Sequence, residues 1–366
     1  VITVHEVLSR RGDYRLVNST ADQFLELGQG VDCEFENTLC GNGWTLFELD
    51  YDREQAVFLN VGADTNLFEV PFSYRAQITL ARQLAYVDFS TFENYEKVFS
   101  RNKVIQLYNI GHCGSTLLHH VINMSGEAWD ISEPKFLFDI AMSRNRLPFD
   151  RQVALARAGL KLLSCFPLAE QKPALVLKHF SQCTKLYHIF AAAMPESKAL
   201  FMYRDAFNWC NSIYGFAQRM GMPSLMPYDR RSFTWWVQSG GVPESYLEGL
   251  VSLQGENLKY EELAACAWAL HIEEFQSARK AGLGFLAFRY NELMQDRKAT
   301  LEKIFAYCGF DPSSVLRSLD AFDHDSHEGE ETAHDRSVRK LGPEAETTIS
   351  KILSNPRLAM DGDARL

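Results

Sequence analysis

An α/β protein with a mainly parallel sheet flanked by helices, preceded by a small N-terminal α+β module, is the fold class that three observations predict. From about residue 104 onward, short apolar runs alternate with segments of helical periodicity, the pattern of parallel strands joined by crossover helices. The first of those runs breaks into a glycine-bounded loop that opens directly into a helix. Upstream of residue 100 the pattern is instead that of a hairpin.

Residues 1–99 are read as the separate module. Trp44–Leu49 and Ala56–Val61 flank a polar turn around Asp52 and Arg53, which predicts a hairpin, and Phe72 to Val87 has helical spacing. No catalytic constellation is visible there. The module is therefore expected to be a structural or dimerising appendage, with a lid over a site on the core as the other reading.

Residues 100–315 are expected to form the core. Val104–Ile110 is apolar enough for a buried strand, and Gly111, His112, Cys113 and Gly114 make the loop that follows. Ser115 and Thr116 then start a helix whose apolar positions are Leu117, Leu118, Val121 and Ile122. A strand, a glycine loop and a helix N-terminus together form an anion cradle, because unpaired N–H groups and the helix dipole point at one spot. A nucleotide-binding loop of the usual kind has a lysine just before its Ser/Thr, where this chain has Gly114, so an ordinary ATPase or kinase is not expected.

Further elements follow in order. Asp150–Phe166 reads as a helix, Ala174–His179 as a buried strand ending at Lys178 and His179, and Gln182–Met194 as the next helix. The strand Ala199–Tyr203 delivers Arg204, and a helix begun by Asp205 carries Ser212 about two turns in. Residues 222–259 form a Pro/Gly-punctuated insertion with paired Arg230 and Arg231 and paired Trp235 and Trp236, read as a lid or as packing. Tyr260–Ala281 is predicted helical, Phe285–Tyr290 a strand, and Lys298–Cys308 a helix ended by Gly309. The remainder, 316–366, is a C-terminal segment with an acidic stretch after Asp323, read as a solvated loop.

On these residues the chain resembles the sulfotransferases that use 3′-phosphoadenosine 5′-phosphosulfate (PAPS). Residues 111–116, GHCGST, are similar to the family's loop P-K-S-G-T-T or G-R-S-G-S-T, and Arg204 with Ser212 keeps the spacing of its second signature, a strand ending in Arg-Asp-Pro with a serine eight residues after the arginine. The run Phe288–Leu293 resembles the family's R-Y-E-D-L, and Arg336–Gly342 is a loose version of its R-K-G segment. The likeness spans roughly residues 103–312 and implies a P-loop-like sulfotransferase fold. It implies that Gly111, His112, Cys113, Gly114, Ser115 and Thr116 hold the 5′-phosphosulfate and that Arg204 and Ser212 hold the 3′-phosphate. Tyr290 would lie near the adenine, and Arg339 and Lys340 would close on the 3′-phosphate. PAPS would be the donor and 3′-phosphoadenosine 5′-phosphate (PAP) the product, with no metal.

The resemblance also distributes the chemistry. Lys178 is similar to the lysine of the family's K-T-H segment and would stabilise transition-state charge. His112 stands where the loop usually carries Lys or Arg, and Phe180 stands where the family has its catalytic histidine. Two residues compete for the base: Glu133 of the Ser132-Glu133-Pro134 run, with Pro134 biasing it to an extended conformation, and His179. Glu133 is preferred, because one residue of offset on a strand turns His179 to the other face. His119 and His120 are read as supporting or core residues. The other functional readings are a PAPS- or PAP-binding relative that has lost catalysis, motivated by His112 and Phe180, and a cysteine hydrolase using Cys113.

Composition bounds the partners. The 366 residues carry a net charge of −10 with 46% hydrophobic content, which supports a sizeable core and disfavours nucleic acid and anionic membrane surfaces. Eight cysteines are scattered without CxxC or metal spacing and are read as reduced thiols in a cytoplasmic protein. The N-terminus has no apolar run after a basic segment, and no stretch reaches about 18 apolar residues, so neither signal peptide nor membrane span is expected. The acidic balance suits a neutral or cationic small-molecule acceptor, a polar natural product such as a guanidinium alkaloid, and a homodimer stays open.

Overall fold

Five parallel strands carry the core: β7 (Lys103–Asn109), β8 (Ala128–Ser132), β9 (Ala174–Lys178), β10 (Lys198–Tyr203) and β11 (Phe285–Arg289). Their order is β11-β10-β7-β9-β8, and every neighbouring pair is parallel. From the central β7 the chain goes out to the β8 edge, returns through β9, and then crosses to β10 and β11. The strand order therefore reverses beside β7, which is where open α/β sheets leave a ligand crevice at their carboxyl ends. In the computed structural model the described residues are 2–11, 20–34, 39, 43–68, 70–94, 103–143, 146–164, 172–219, 260–323 and 341–354.

The predicted core strands are all present, within a residue at either end. β9 is buried at every position and β7 at all but Lys103, as expected of strands covered on both faces. The helix Ser115–Ser125 packs on β8 and β9. The helices Ala206–Arg219, Tyr260–Lys280 and Pro343–Leu353 pack on one another. Helix Arg297–Cys308 ends at Gly309, whose φ of 69° is the left-handed conformation that glycine adopts without strain.

Three of the elements that differ from expectation bear on the layout of the site and the module. β8 was not predicted, because AWDIS is short and carries Asp130, which is fully buried beside His119 Nδ1 at 3.2 Å. The predicted helix Phe72–Val87 is a helix over Ser73–Leu80 followed by strand β6 (Gln83–Asp88). Pairing of β6 with both β1 (Ile2–Arg10) and β5 (Gln55–Asn60) outweighs its helical spacing, a non-local gain that periodicity does not report. The predicted helix from Gln182 begins as a 3₁₀ turn, Ser181–Leu186, before the α-helix Tyr187–Ala193.

The N-terminal hairpin, β4 (Trp44–Asp50) with β5, is part of a six-stranded antiparallel sheet of order β2-β1-β6-β5-β4, with β3 (Val31–Cys33) also paired to β1 and β2 spanning Leu25–Leu27. A buried charge cluster docks this sheet on the core. Lys135 Nζ, on the helix Lys135–Met142, lies 2.7 Å from Asp139 Oδ1 and 3.3 Å from Glu48 Oε1 of β4. Asp139 Oδ2 accepts the Leu49 N–H at 3.0 Å, and Glu48 Oε2 accepts the Ala21 N–H at 2.8 Å.

Two carboxylates share one ammonium there, so burial, opposed in part by Lys135 and aided by Asp139, raises Glu48 to about 7. Between the ordinary carboxylate range and about pH 7 the folded state holds a proton that the unfolded chain has lost. The contribution of Glu48 to stability therefore falls as pH rises through that window. Urea unfolding at a series of pH values should show Glu48→Gln with a flatter decline between about pH 5 and 7 than the parent. Parallel profiles would remove Glu48 as the source.

Candidate active site

Each strand of the parallel sheet ends at a residue singled out from the sequence. Gly111 follows β7, Glu133 follows β8, Lys178 closes β9, Arg204 follows β10, and Tyr290 follows β11. The topology thus gathers at one sheet edge residues that are up to 179 positions apart in the chain, from Gly111 to Tyr290.

The loop after β7 is built by buried polar side chains. Asn109 Oδ1 accepts the Gly111 N–H at 2.8 Å while its Nδ2 donates to His179 O at 2.6 Å. Trp209 Nε1 donates to Gly111 O at 2.8 Å, so a main-chain carbonyl of the loop is tied to the helix Ala206–Arg219. Gly114 has φ 87° and caps the helix Ser115–Ser125 without a side-chain hydrogen bond. The first helical bond, Leu118 N–H to Gly114 O at 3.2 Å, leaves the amides of Ser115, Thr116 and Leu117 without partners inside the helix. This is the geometry of an anion site.

Lys178 connects that helix end to Glu133. Its side chain is 1% exposed, and its Nζ donates to Thr116 Oγ1 at 3.2 Å and Ser132 Oγ at 3.1 Å and lies 2.9 Å from Glu133 Oε1. The Glu133 side chain is 17% exposed, so the carboxylate is the wettest member of the group. Its N–H donates to Lys178 O at 2.9 Å, and its φ is 54°. The extended backbone expected before Pro134 is therefore replaced by the left-handed region, where the chain turns from β8 into the next helix. A non-glycine residue held there at a cost of about 1–3 kcal/mol is typical of functional sites.

Arg204 and Tyr290 form the second half. The guanidinium sits 4.7 Å above the Tyr290 ring, and Arg204 Nε is buried with no hydrogen-bond partner among the described residues. Arg204 O accepts from Trp268 Nε1 at 2.7 Å, which fixes the backbone beneath it. Tyr290 packs so closely on Gly114 that a Cβ there would meet its ring at 2.4 Å. Asp205 accepts the Asn208 N–H at 2.9 Å and starts the helix bearing Ser212, which is half-buried. On the same helix Asn211 Oδ1 accepts the Leu341 N–H at 2.8 Å, so the C-terminal segment returns beside Ser212. Arg339 and Lys340, like the expected lid 222–259, lie outside the described residues.

Three expected site residues sit differently from the rest. His179 is fully buried away from the cradle: it stacks on Tyr108 at 4.5 Å, its Nε2 is 3.1 Å from Gln106 Oε1, and burial drives it down to about 3. It is not brought together with Lys178 Nζ and Glu133, as the one-residue offset implies. Cys113 lends the cradle its backbone alone, because its thiol is in the core, donates to Met202 O at 3.4 Å and is pushed by burial to about 11. That is the opposite of an activated nucleophile. His112 is exposed with φ 46°, its ring 4.8 Å from Phe216.

The residues fit a nucleotide with two anionic ends: an uncapped helix terminus with a buried ammonium at one, and at the other an arginine whose Nε has no partner among the described residues. Two contributors were missed from the sequence, Asn109 and Ser132. A polar residue closing an otherwise apolar strand, and a serine at the start of the Ser-Glu-Pro run, were the available signals. Among the described residues no helix is long and apolar enough to cross a membrane, and no group of three His, Cys, Asp or Glu could hold a metal ion.

No family model matches the chain, and no curated protein does. Among solved structures it is similar to a sulfotransferase from Mycobacterium avium, at 12% identity over 75% of this chain and 80% of that one, with a TM-score of 0.39. It is similar also to a sulfotransferase from Alicyclobacillus acidocaldarius, at 13% identity over 70% and 92%, with a TM-score of 0.41. A third is a mouse sulfotransferase complexed with PAP, at 14% identity over 73% and 90%, with a TM-score of 0.37.

Proposed function

We propose that this protein transfers a sulfuryl group from PAPS to a hydroxyl or amine of a small-molecule acceptor. The observation that carries the reading is the linkage Thr116–Lys178–Glu133 at an uncapped helix N-terminus. Sulfuryl transfer asks for a held anion, a cation where charge develops and a base for the acceptor, and these groups stand in that order. PAPS would supply the activated sulfuryl group. The amides of the Ser115 turn and the Thr116 hydroxyl bind its phosphosulfate end, and Lys178 holds positive charge beside them. Glu133, the most exposed member, takes the acceptor's proton, and Arg204 with Ser212 binds the 3′-phosphate over Tyr290.

The net charge of −10 attracts cationic acceptors at long range, which supports a polar or cationic natural product such as a guanidinium alkaloid. The test of the donor is Arg204→Ala. Calorimetric affinity for PAPS should fall by about 1.5–3 kcal/mol, the scale of a charge-assisted hydrogen bond, with little change for adenosine 5′-phosphosulfate, which lacks the 3′-phosphate. Equal losses for both nucleotides would refute the 3′-phosphate role, and no binding of either to the parent would refute the donor.

A further inference from the structure

A short segment that follows the N-terminal hairpin, Pro71–Tyr74, reaches the site and touches the groups that hold Lys178. Ser132 Oγ donates to Pro71 O at 2.5 Å and accepts from Lys178 Nζ at 3.1 Å. The direction of both bonds is forced, because a carbonyl only accepts and an ammonium only donates. With its single hydrogen committed to Pro71, the hydroxyl must turn a lone pair toward Lys178. Phe72, the next residue, places its ring 5.4 Å from the same Nζ, within the range of a cation–π contact.

The segment itself is held firmly. It leads into the helix Ser73–Leu80, where Gln77 Nε2 donates to Thr45 Oγ1 and Leu46 O, both at 3.0 Å. Tyr74 packs on Phe180 at 5.7 Å, and Phe180 packs on Phe138 at 5.5 Å. Phe180 is the residue that directly follows His179 after β9, so module and core interlock two residues beyond Lys178.

The three hydrogens of the Lys178 ammonium are matched by Thr116, Ser132 and Glu133. For Lys178 to engage an incoming sulfuryl oxygen, one of these partners must let go, and Glu133 is the most exposed of the three. Ser132, backed by Pro71, and the Phe72 ring then keep the ammonium aimed while that exchange takes place.

From this the geometry points to Phe72 and Ser132 as positioning residues for Lys178, making the N-terminal module an integral part of the transfer site and not an appendage. The inference rests on the donor reading above. Because Lys178 faces the transferring group, its placement is read by the affinity for PAPS relative to PAP, which lacks that group.

The test measures both affinities by calorimetry on the full chain, with thermal unfolding as a check on folding. Phe72→Leu and Ser132→Ala should each weaken PAPS about 3- to 10-fold while PAP stays within about twofold, and Phe72→Tyr, which keeps a ring face for the cation, should restore PAPS. On a Lys178→Met background neither substitution should have any further effect on PAPS, since nothing is left to position. Equal weakening of PAPS and PAP, an unaltered ratio, or a loss that persists without Lys178 would overturn the inference. If PAP and PAPS both fail to bind the parent, the donor reading falls and takes this one with it; if PAP binds normally and the ratio does not move, this one falls alone.

Discussion

Replacing Lys178 with Met is expected to lower turnover about 10²- to 10³-fold, the usual worth of one preorganised group aimed at developing charge. The side chain is 1% exposed, so the charge acts where water screens it little. Methionine keeps most of the volume and an unbranched, flexible stem, which limits repacking in the wall formed with Thr116, Ser132 and Phe72. The protein should remain folded but less stable, because the Thr116 and Ser132 hydroxyls lose a donor and Glu133 loses its counter-charge. PAP release from PAPS in the presence of acceptor, with PAP affinity measured in parallel, is the readout. A folded variant that keeps more than about a tenth of parental turnover would remove Lys178 from the chemistry.

How much of this was legible beforehand depends on the range of the interaction. The strand ends bearing Lys178, Arg204 and Tyr290 were visible because an apolar run followed by a polar residue is a local pattern, and parallel sheets place such ends together. The cradle at Gly111–Thr116 was visible for the same reason. β6 and β8 were not, because β6 is chosen by its neighbours β1 and β5, and β8 contains Asp130, which is buried beside His119, eleven positions back in the preceding helix.

The placement of His179 followed from a property of strands alone, the alternation of side chains. Its stacking on Tyr108, three residues before the cradle loop, could not be read in that way. The role of the N-terminal module was the least legible, since the bond between Pro71 O and Ser132 Oγ joins residues 61 positions apart and leaves no periodic trace. The left-handed backbone at Glu133 was likewise hidden, because a residue before proline is ordinarily extended.

The base assignment carries the second large effect. Glu133→Gln should reduce turnover about 10²- to 10⁴-fold, the range for a positioned general base, because the amide keeps shape and one acceptor oxygen but cannot take a proton. The observed ion pair sharpens the expectation for binding. Glu133 Oε1 lies 2.9 Å from Lys178 Nζ, so in this state the carboxylate would compete for the ammonium that the proposed transfer assigns to the sulfuryl group. Removing its charge weakens that competition, and PAPS affinity should stay level or become tighter while turnover falls, a split that separates a base from a residue that merely binds the donor. On the proposed reading, exchange of Glu133 from Lys178 to the acceptor would also link the two steps, since the carboxylate would leave the lysine at the moment the lysine is wanted elsewhere. A glutamine variant with both near-parental turnover and weakened PAPS would reverse the assignment, making Glu133 a donor contact and leaving the acceptor proton to another group. Retention of turnover toward an amine acceptor alone, with loss toward a hydroxyl, would instead confine the base to hydroxyl chemistry, because a neutral amine attacks before it must give up its proton.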